Sequence, residues 1–478
     1  MTQTGGQGTT AFVPDLLYAG GRFERGRALV CDEAGRVTAV VRPEELTPRD
    51  RRIRLAGRAL LPGMVNAHSH AFQRVIRGRT EYRGERASDS FWTWREMMYA
   101  AAARLAPEDV YDASRMAFLE MALGGITSVG EFHYLHRTPE GGEYGDPNLL
   151  AREVVRAARD VGIRIALLRV AYERAGHRRE PDPRQRRFVE PDAETFLRHA
   201  AALARDLAAD APAHAWLGVA PHSVRALTLG YLRELGAFAR EAGVPLHMHV
   251  AEQPAEVEAC LAEHGRTPVA LLADEGLLGP NFTGVHAVHV TAEEVARLGA
   301  SGACVCACPT TERNLGDGVV PADALLAAGV PVALGTDSHA QIDLLEDARE
   351  LEYHLRLTSL RRNVLAPGGE GGGGMSALAA RLFECATVSG ARSVGAHAGS
   401  FEPGRAADFF TVALDDPSIA GAGAEDLLPA VVFSLSRAAV RETAVGGRLL
   451  VESGRHPAQE EIVSRFAALQ RRLWGSGE

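Results

Sequence analysis

The chain has 478 residues, a formal net charge of −9, and hydrophobic and charged fractions of 46% and 24%. That length and balance suit a soluble globular protein with one large and one smaller unit, and the acidic excess argues against a nucleic-acid binder, which needs a clustered basic face. No apolar run is long enough to span a bilayer, the start MTQTGGQG is no leader peptide, and six cysteines without regular spacing make no disulfide framework, so a cytoplasmic setting is expected.

From about Phe12 to Ala59 the sequence reads as short strands and turns, as in ALVCDEAGRVTAVV. LLPGMV near Leu60 and GITSVG near Gly125 then open a series of nearly continuous apolar runs. The series continues with GIRIALLRV from Gly162, AWLGVAP, VPLHMHV, FTGVHAVHV, ACVCACP and VPVALGTDS. Such runs are expected of strands buried on both faces. Between them lie stretches with apolar residues at spacings of three and four, such as Val154, Val155, Ala158 and Val161, or the segment from Leu229 to Ala242. Eight strands alternating with helices predict an α/β protein built on a closed (β/α)8 TIM barrel. EGGGGMSA, from Glu370, follows no strand and reads as a linker. The tail segments DFFTVAL, AVVFSLS and AVRETAVGGRLLVESG read as strand and turn. Neither end can bury a core alone, so the two are expected to pair into a small β-sandwich. The predicted organisation is residues 1–59 as one half of the sandwich, 60–395 as the barrel, and 396–478 as the other half with a terminal helix.

Barrel enzymes place their chemistry at the carboxyl ends of the strands, and four such ends are rich in metal-competent residues. In LLPGMVNAHSHAFQR, His68 and His70 are two apart, so in extended chain both imidazoles point the same way. In PLHMHVAEQ, His249 is a third candidate ligand, Glu252 is a carboxylate placed to move protons, and His247 reads as packed. In GVHAVHVT, His286 and His289 are three apart and face opposite ways, so one reaches the barrel mouth, and His286 is favoured. In VPVALGTDSHA, Asp337 ends the eighth strand. The chain contains no lysine, which excludes Schiff-base chemistry and a carbamylated lysine bridging two metals.

The order HSH, then HxxE, then His, then TD resembles the amidohydrolase superfamily over nearly the whole chain, in particular its branch of mononuclear deaminases. HSHAFQR at His68, GEFHYLH at Gly130, APHSVRA at Ala220, HVAEQ at His249 and CPTTERNLGDG at Cys308 are similar to the formimidoylglutamate deiminase family within that branch. The resemblance implies one divalent ion, zinc by its nitrogen and oxygen donors, on His68, His70, His249 and Asp337, with Glu252, His286 and Asp337 catalytic. It also implies that Gln73, Arg95, Tyr134, His222 and Arg225 bind an amino-dicarboxylate, whose carboxylates suit the planar fork of arginine. The implied reaction is hydrolysis of N-formimino-L-glutamate to N-formyl-L-glutamate and ammonia, in histidine degradation, by a homodimer. The alternative is a deaminase of a nucleobase, nucleoside or triazine on the same metal site. Arg77, Arg79 and Arg83 compete with Arg95 for the substrate, and Glu131 competes as a bridge to a second metal. Trp92 and Trp94 suit either a lid or helix packing. Cys304, Cys306 and Cys308 read as core packing, and the arginine-rich stretch from Arg174 reads as a solvated loop.

Overall fold

The structure, a computed structural model, describes residues 8–83, 89–210, 214–368 and 373–475. Residues 1–7 and most of the glycine-rich run from Glu370 lie outside the described residues. Eight parallel strands pair in chain order: Met64–Ser69, Ile126–His133, Arg164–Ala171, Ala215–Pro221, Leu246–Val250, Phe282–His286, Cys304–Ala307 and Val332–Leu334. The eighth strand has only three residues, and it meets the first beyond its own end. There Ser69 bridges Asp337, the Asp337 N–H donates to the His68 carbonyl at 3.0 Å, and the His70 N–H donates to the Asp337 carbonyl at 3.1 Å. Asn66 and Thr336 reinforce this seam, the Asn66 amide donating to Thr336 Oγ1 at 2.7 Å and accepting from the Thr336 N–H at 3.0 Å.

The helices between strands bury one stripe each. Leu149–Val161 buries Leu150, Ala151, Val154, Ala157, Ala158 and Val161, while Val155 of the predicted set is only half-buried. Leu229–Ala242 has the extent that its apolar spacing predicts. Gly162 (φ 98°) and Gly243 (φ 64°) end these two helices in the left-handed region, which glycine enters without steric cost.

The chain ends build one eight-stranded sheet from Thr10–Ala19, Arg22–Arg25, Ala28–Cys31, Val37–Val41, Arg51–Pro62, Phe409–Ala413, Val440–Val445 and Arg448–Val451. The central pair, Thr10–Ala19 with Arg51–Pro62, is parallel and the other pairings are antiparallel. The sheet curls back on itself: Val37 donates to the Arg405 carbonyl at 2.8 Å and Gly404 to the Val37 carbonyl at 2.8 Å. Phe12, Leu17, Leu29 and Phe409 fill the core enclosed by the curl, and Leu61 and Phe410 face the barrel. The strand Arg51–Pro62 runs past residue 60, and Gly63 alone separates it from the first barrel strand.

Two readings of the sequence need correction. AVVFSLS is not a strand: Leu427–Ser434 is a helix that buries Leu427, Leu428, Val431 and Val432 on one face. Its apolar run hid the period because the preceding leucines belong to the same helix. The arginine-rich segment is not merely solvated: Arg187 is 1% exposed and donates to the carbonyls of Arg137 and Leu105, each at 2.9 Å, and of Ala102. The terminal helix, Gln459–Trp474, packs on the barrel helix Pro107–Leu123, where Arg465 pairs with Asp112 at 2.8 Å and Arg115 with Glu461 at 2.6 Å.

Gly130, on the second barrel strand, has no room for a side chain: a Cβ there would lie 2.6 Å from the Ala67 carbonyl oxygen and 2.7 Å from Val394 Cγ1. Because the carbonyl belongs to the strand that carries His68, Gly130→Ala must displace backbone rather than a rotamer. A cost of about 1–3 kcal/mol is expected. Thermal denaturation checks it, and an unchanged midpoint would contradict this packing.

Candidate active site

The four expected ligand positions meet at the carboxyl end of the barrel. His68 Nε2 lies 3.2 Å from His70 Nε2 and 3.2 Å from His249 Nε2. Asp337 Oδ1 lies 3.4 Å from His68 Nε2 and 3.2 Å from His70 Nε2. All four residues are buried. Ligand atoms at about 2.0–2.1 Å from a tetrahedral zinc ion stand about 3.3 Å from one another, so these spacings are those an ion would impose.

The imidazoles are also oriented for this. His70 Nδ1 donates to the Phe132 carbonyl at 3.0 Å and His249 Nδ1 to the His222 carbonyl at 3.1 Å, which leaves both Nε2 lone pairs facing inward. Burial holds the His68 pKa down to about 3, against the opposing pull of Asp337, and drives that of His249 well below its usual value. Neutral imidazoles are the form that binds metal. Phe132, fully buried, sets its ring 4.4 Å from His249 and 5.0 Å from His68. The donor set therefore fits one divalent ion.

His286 stands beside this cluster. Its Nδ1 meets Glu312 Oε1 at 3.2 Å, and its Nε2 faces Glu252 Oε1 at 3.6 Å and Asp337 Oδ2 at 3.7 Å. Burial lowers the His286 pKa, but the surrounding carboxylates Glu252, Asp337 and Glu312 outweigh it and carry the value well above the ordinary one. Burial raises the Glu252 carboxyl, with the His286 charge opposing. His289 turns away and meets the Asp317 carbonyl at 2.9 Å, and His247 meets the Ser393 carbonyl at 2.8 Å.

The strand exits at the site are bent. Ala251, His286, Ala287, Asp337 and His339 all have φ between 43° and 71°. Such conformations are costly for side-chain-bearing residues and persist where the surroundings enforce them. Three buried carboxylates tie down backbone at and beside these exits. Glu131 accepts from Ser69 Oγ and from the Ala71 N–H at 2.7 Å, Glu256 from the N–H groups of Ala251 and Glu252, each at 3.2 Å, and Glu312 from the Cys308 N–H at 2.8 Å. Burial pushes the Glu131 pKa up to about 7. Both Glu131 oxygens are occupied by the loop that carries His68 and His70, and Glu131 is in neither of the metal-competent groups found among the described residues.

All five expected substrate contacts, Gln73, Arg95, Tyr134, His222 and Arg225, line one cavity with His70, His249, Glu252, His286 and Asp337. The competing arginines are engaged elsewhere: Arg77 with Glu120 at 2.7 Å and Arg79 with Gln470 at 3.3 Å; Arg83 does not line the cavity. Arg95 lies on the helix Phe91–Ala102 with its guanidinium 4.5 Å over Trp92, while Trp94 lines the cavity. Among the described residues neither Arg95 nor Arg225 pairs with a carboxylate: one Arg95 Nη is buried without a partner, and Arg225 bonds Tyr172 Oη at 3.4 Å. Gln73 donates to Tyr134 Oη at 2.8 Å and leaves its own oxygen unpaired.

Sequence reading missed several residues here. Tyr99 and Tyr172 line the cavity. Cys308, assigned to packing, brings its sulfur within 4.8 Å of ligand atoms of His286 and Asp337. Glu312 lies in the quoted CPTTERNLGDG motif, where a carboxylate five residues past a strand end was the available signal.

The amidohydrolase family model matches residues 59–450. The formimidoylglutamate deiminase of Pseudomonas aeruginosa is 38% identical over 90% of this chain and 92% of its own length. A 5-methylthioadenosine/S-adenosylhomocysteine deaminase of Halobacterium salinarum is 31% identical over 93% of each chain. A crystal structure of an amidohydrolase from Brucella melitensis superposes with a TM-score of 0.87 at 32% identity, covering 97% of this chain and 99% of that one. The chain belongs to the amidohydrolase family. It is a hydrolase acting on C–N bonds. No helix among the described residues is long and apolar enough to cross a membrane.

One divalent ion per chain is expected in protein purified without chelator, as read by elemental analysis. His249→Ala should lose it, and Glu131→Gln should retain it. Two ions per chain, or loss of metal from Glu131→Gln, would overturn the four-ligand assignment.

Proposed function

We propose that the chain is a formimidoylglutamate deiminase: it hydrolyses N-formimino-L-glutamate to N-formyl-L-glutamate and ammonia, in the cytoplasm, as a step of histidine degradation. The observation that carries this reading is that two guanidiniums, Arg95 and Arg225, line the cavity of an acidic protein with no carboxylate in salt-bridge contact with either among the described residues. A substrate with two carboxylates supplies the missing partners, whereas a nucleobase leaves them unpaired. The 38% identity to the Pseudomonas aeruginosa enzyme supports the same choice.

In this proposal His68, His70, His249 and Asp337 hold one zinc ion. A divalent ion held there supplies Lewis acidity, which brings the pKa of water from about 15.7 towards about 7. His286 Nε2 and the free Asp337 oxygen face the same space, so His286 orients the attacking water and the Asp337 carboxylate accepts its proton. The water oxygen bonds to the formimino carbon. Glu252 shifts a proton to the departing nitrogen, the C–N bond breaks, and ammonia leaves. Burial raises the Glu252 pKa, the direction that suits a carboxyl which must both take and return a proton. Gln73, Tyr134 and His222 bind the end of the substrate next to the reacting carbon. Burial, and then the positive charge of Arg225, keep the His222 pKa well below its usual value.

Ammonia release should be far faster from N-formimino-L-glutamate than from guanine, adenosine or 5-methylthioadenosine. Preference for any of these bases would replace the proposed substrate. Glu252→Gln should keep its metal and lose about 10²- to 10⁴-fold in turnover, since glutamine preserves the shape but cannot carry the proton. A loss under about tenfold would remove Glu252 from proton transfer.

A further inference from the structure

We propose that Tyr99 and Tyr172 donate their phenolic protons to the substrate carboxylate held by Arg95 and Arg225, and that Gln185 is the positioning residue that turns both protons into the cavity. This rests on the dicarboxylate reading above. Gln185 comes from the arginine-rich segment between the third barrel strand and the helix Ala193–Asp210, and it is 2% exposed. Its Nε2 donates to Tyr99 Oη at 2.8 Å and to Tyr172 Oη at 2.8 Å. A carboxamide nitrogen carries two hydrogens, so both are spent on the phenols. Each phenol oxygen is therefore an acceptor towards Gln185, and its own proton must go elsewhere. Tyr172 Oη also receives Arg225 Nη1 at 3.4 Å, which turns its proton away from the guanidinium too.

Both rings form part of the cavity wall. Two guanidiniums and two phenols thus present donors to one space, and buried donors without an acceptor mark a missing anion. Burial pushes the Tyr99 pKa up to about 12, so its proton is present across the neutral range. Burial first, with Arg225 adding to it and Tyr99 opposing, lowers the Arg95 pKa, so the two guanidiniums stand close enough to feel each other.

The geometry is clamped from behind. Arg187 bonds the carbonyls of Ala102 and Leu105, at and just beyond the end of the helix that carries Arg95 and Tyr99. Phe188 packs on Tyr134 with ring centroids 5.0 Å apart. The segment is thereby fixed to the helix bearing two of the four donors.

The test is steady-state kinetics of metal-loaded enzyme on N-formimino-L-glutamate and on the formimino derivatives of 2-aminobutyrate and 4-aminobutyrate, each of which lacks one carboxylate. Thermal midpoints and metal content are checked for every variant. Tyr99→Phe and Tyr172→Phe should each lower kcat/KM for the dicarboxylate by roughly 10- to 100-fold, mostly through KM, as expected for a hydrogen bond to a charged group. For the analogue that lacks the carboxylate held by the arginines, the loss should shrink to about twofold or less. Gln185→Glu, an acceptor that draws both phenolic protons to itself, should cost at least as much as either tyrosine variant. In the Tyr99→Phe/Tyr172→Phe background, Gln185→Met should add little. Unchanged KM in the tyrosine variants, equal losses on all three substrates, or a full further loss from Gln185→Met in that background would overturn the inference while leaving the activity assigned. A wild-type enzyme that releases no ammonia from N-formimino-L-glutamate would bring down both.

Discussion

The barrel closes through a single aspartate. Strand eight is too short to pair with strand one along its length, so the seam depends on the Asp337 backbone, which bonds His68 on one side and His70 on the other. The same three residues supply three of the four atoms that converge on the candidate ion. Closing the sheet and assembling the candidate metal site are thus one event. Any ion held there bonds across the weakest join in the barrel and adds its binding energy to the fold. The left-handed φ of 43° at Asp337 follows from this double duty: its backbone must stay on the seam while its carboxylate turns inward over the barrel mouth.

Bending at the strand exits leaves backbone N–H groups with no ladder partner, and in a buried site these must be paired. Glu131, Glu256 and Glu312 answer the same need at strands one, five and seven. Each is a carboxylate a few residues from, or across from, the strand exit it serves, and each accepts from the backbone of that exit. Glu312 also takes His286 Nδ1, so the carboxylate that fixes the strand-seven exit selects the face His286 presents to the cavity. These acids differ from Glu252 in one physical respect. Their oxygens are committed to the protein's own donors, while Glu252 faces the open cavity.

This division explains what the sequence made legible. The candidate ligand histidines stand out because the eight apolar runs place His68, His70 and His249 at strand ends on one rim, although His-x-His alone says little. The supporting acids gave no such signal: Glu256 opens a helix and Glu312 lies in one, positions where glutamate is ordinary. Glu131 looked like a bridge between metals because the sequence shows its place on a strand end but not that Ser69 and Ala71 already occupy it. The arginine-rich stretch misled for a related reason. Its composition is that of a solvated loop, yet Arg187 is buried by three carbonyls that come from the Ala102–Leu105 turn and from Arg137, contacts between segments far apart in sequence. AVVFSLS failed as a strand because its seven residues cover little more than the last turn of a helix, and the buried leucines that reveal the period lie upstream.

The cavity carries charge of both signs. Glu252, Asp337 and Glu312 surround His286, and Arg95 and Arg225 line the same cavity with no carboxylate in salt-bridge contact among the described residues, although Glu252 and Glu256 lie near enough to feel the Arg225 charge. The proposed substrate carries both signs too. An amidine is a strong base, so its cation is drawn to the acids around His286, while the substrate carboxylates are drawn to the guanidiniums. In a low-dielectric cavity, reversing the molecule would set like charges together, and each such contact costs several kcal/mol. Orientation is therefore decided before any hydrogen bond is made. A purine or triazine has no fixed charge at its far end, so the same cavity would neither orient it nor relieve the repulsion between Arg95 and Arg225. Under the proposed function, Arg95 and Arg225 are therefore what selects an amino-dicarboxylate over such rings.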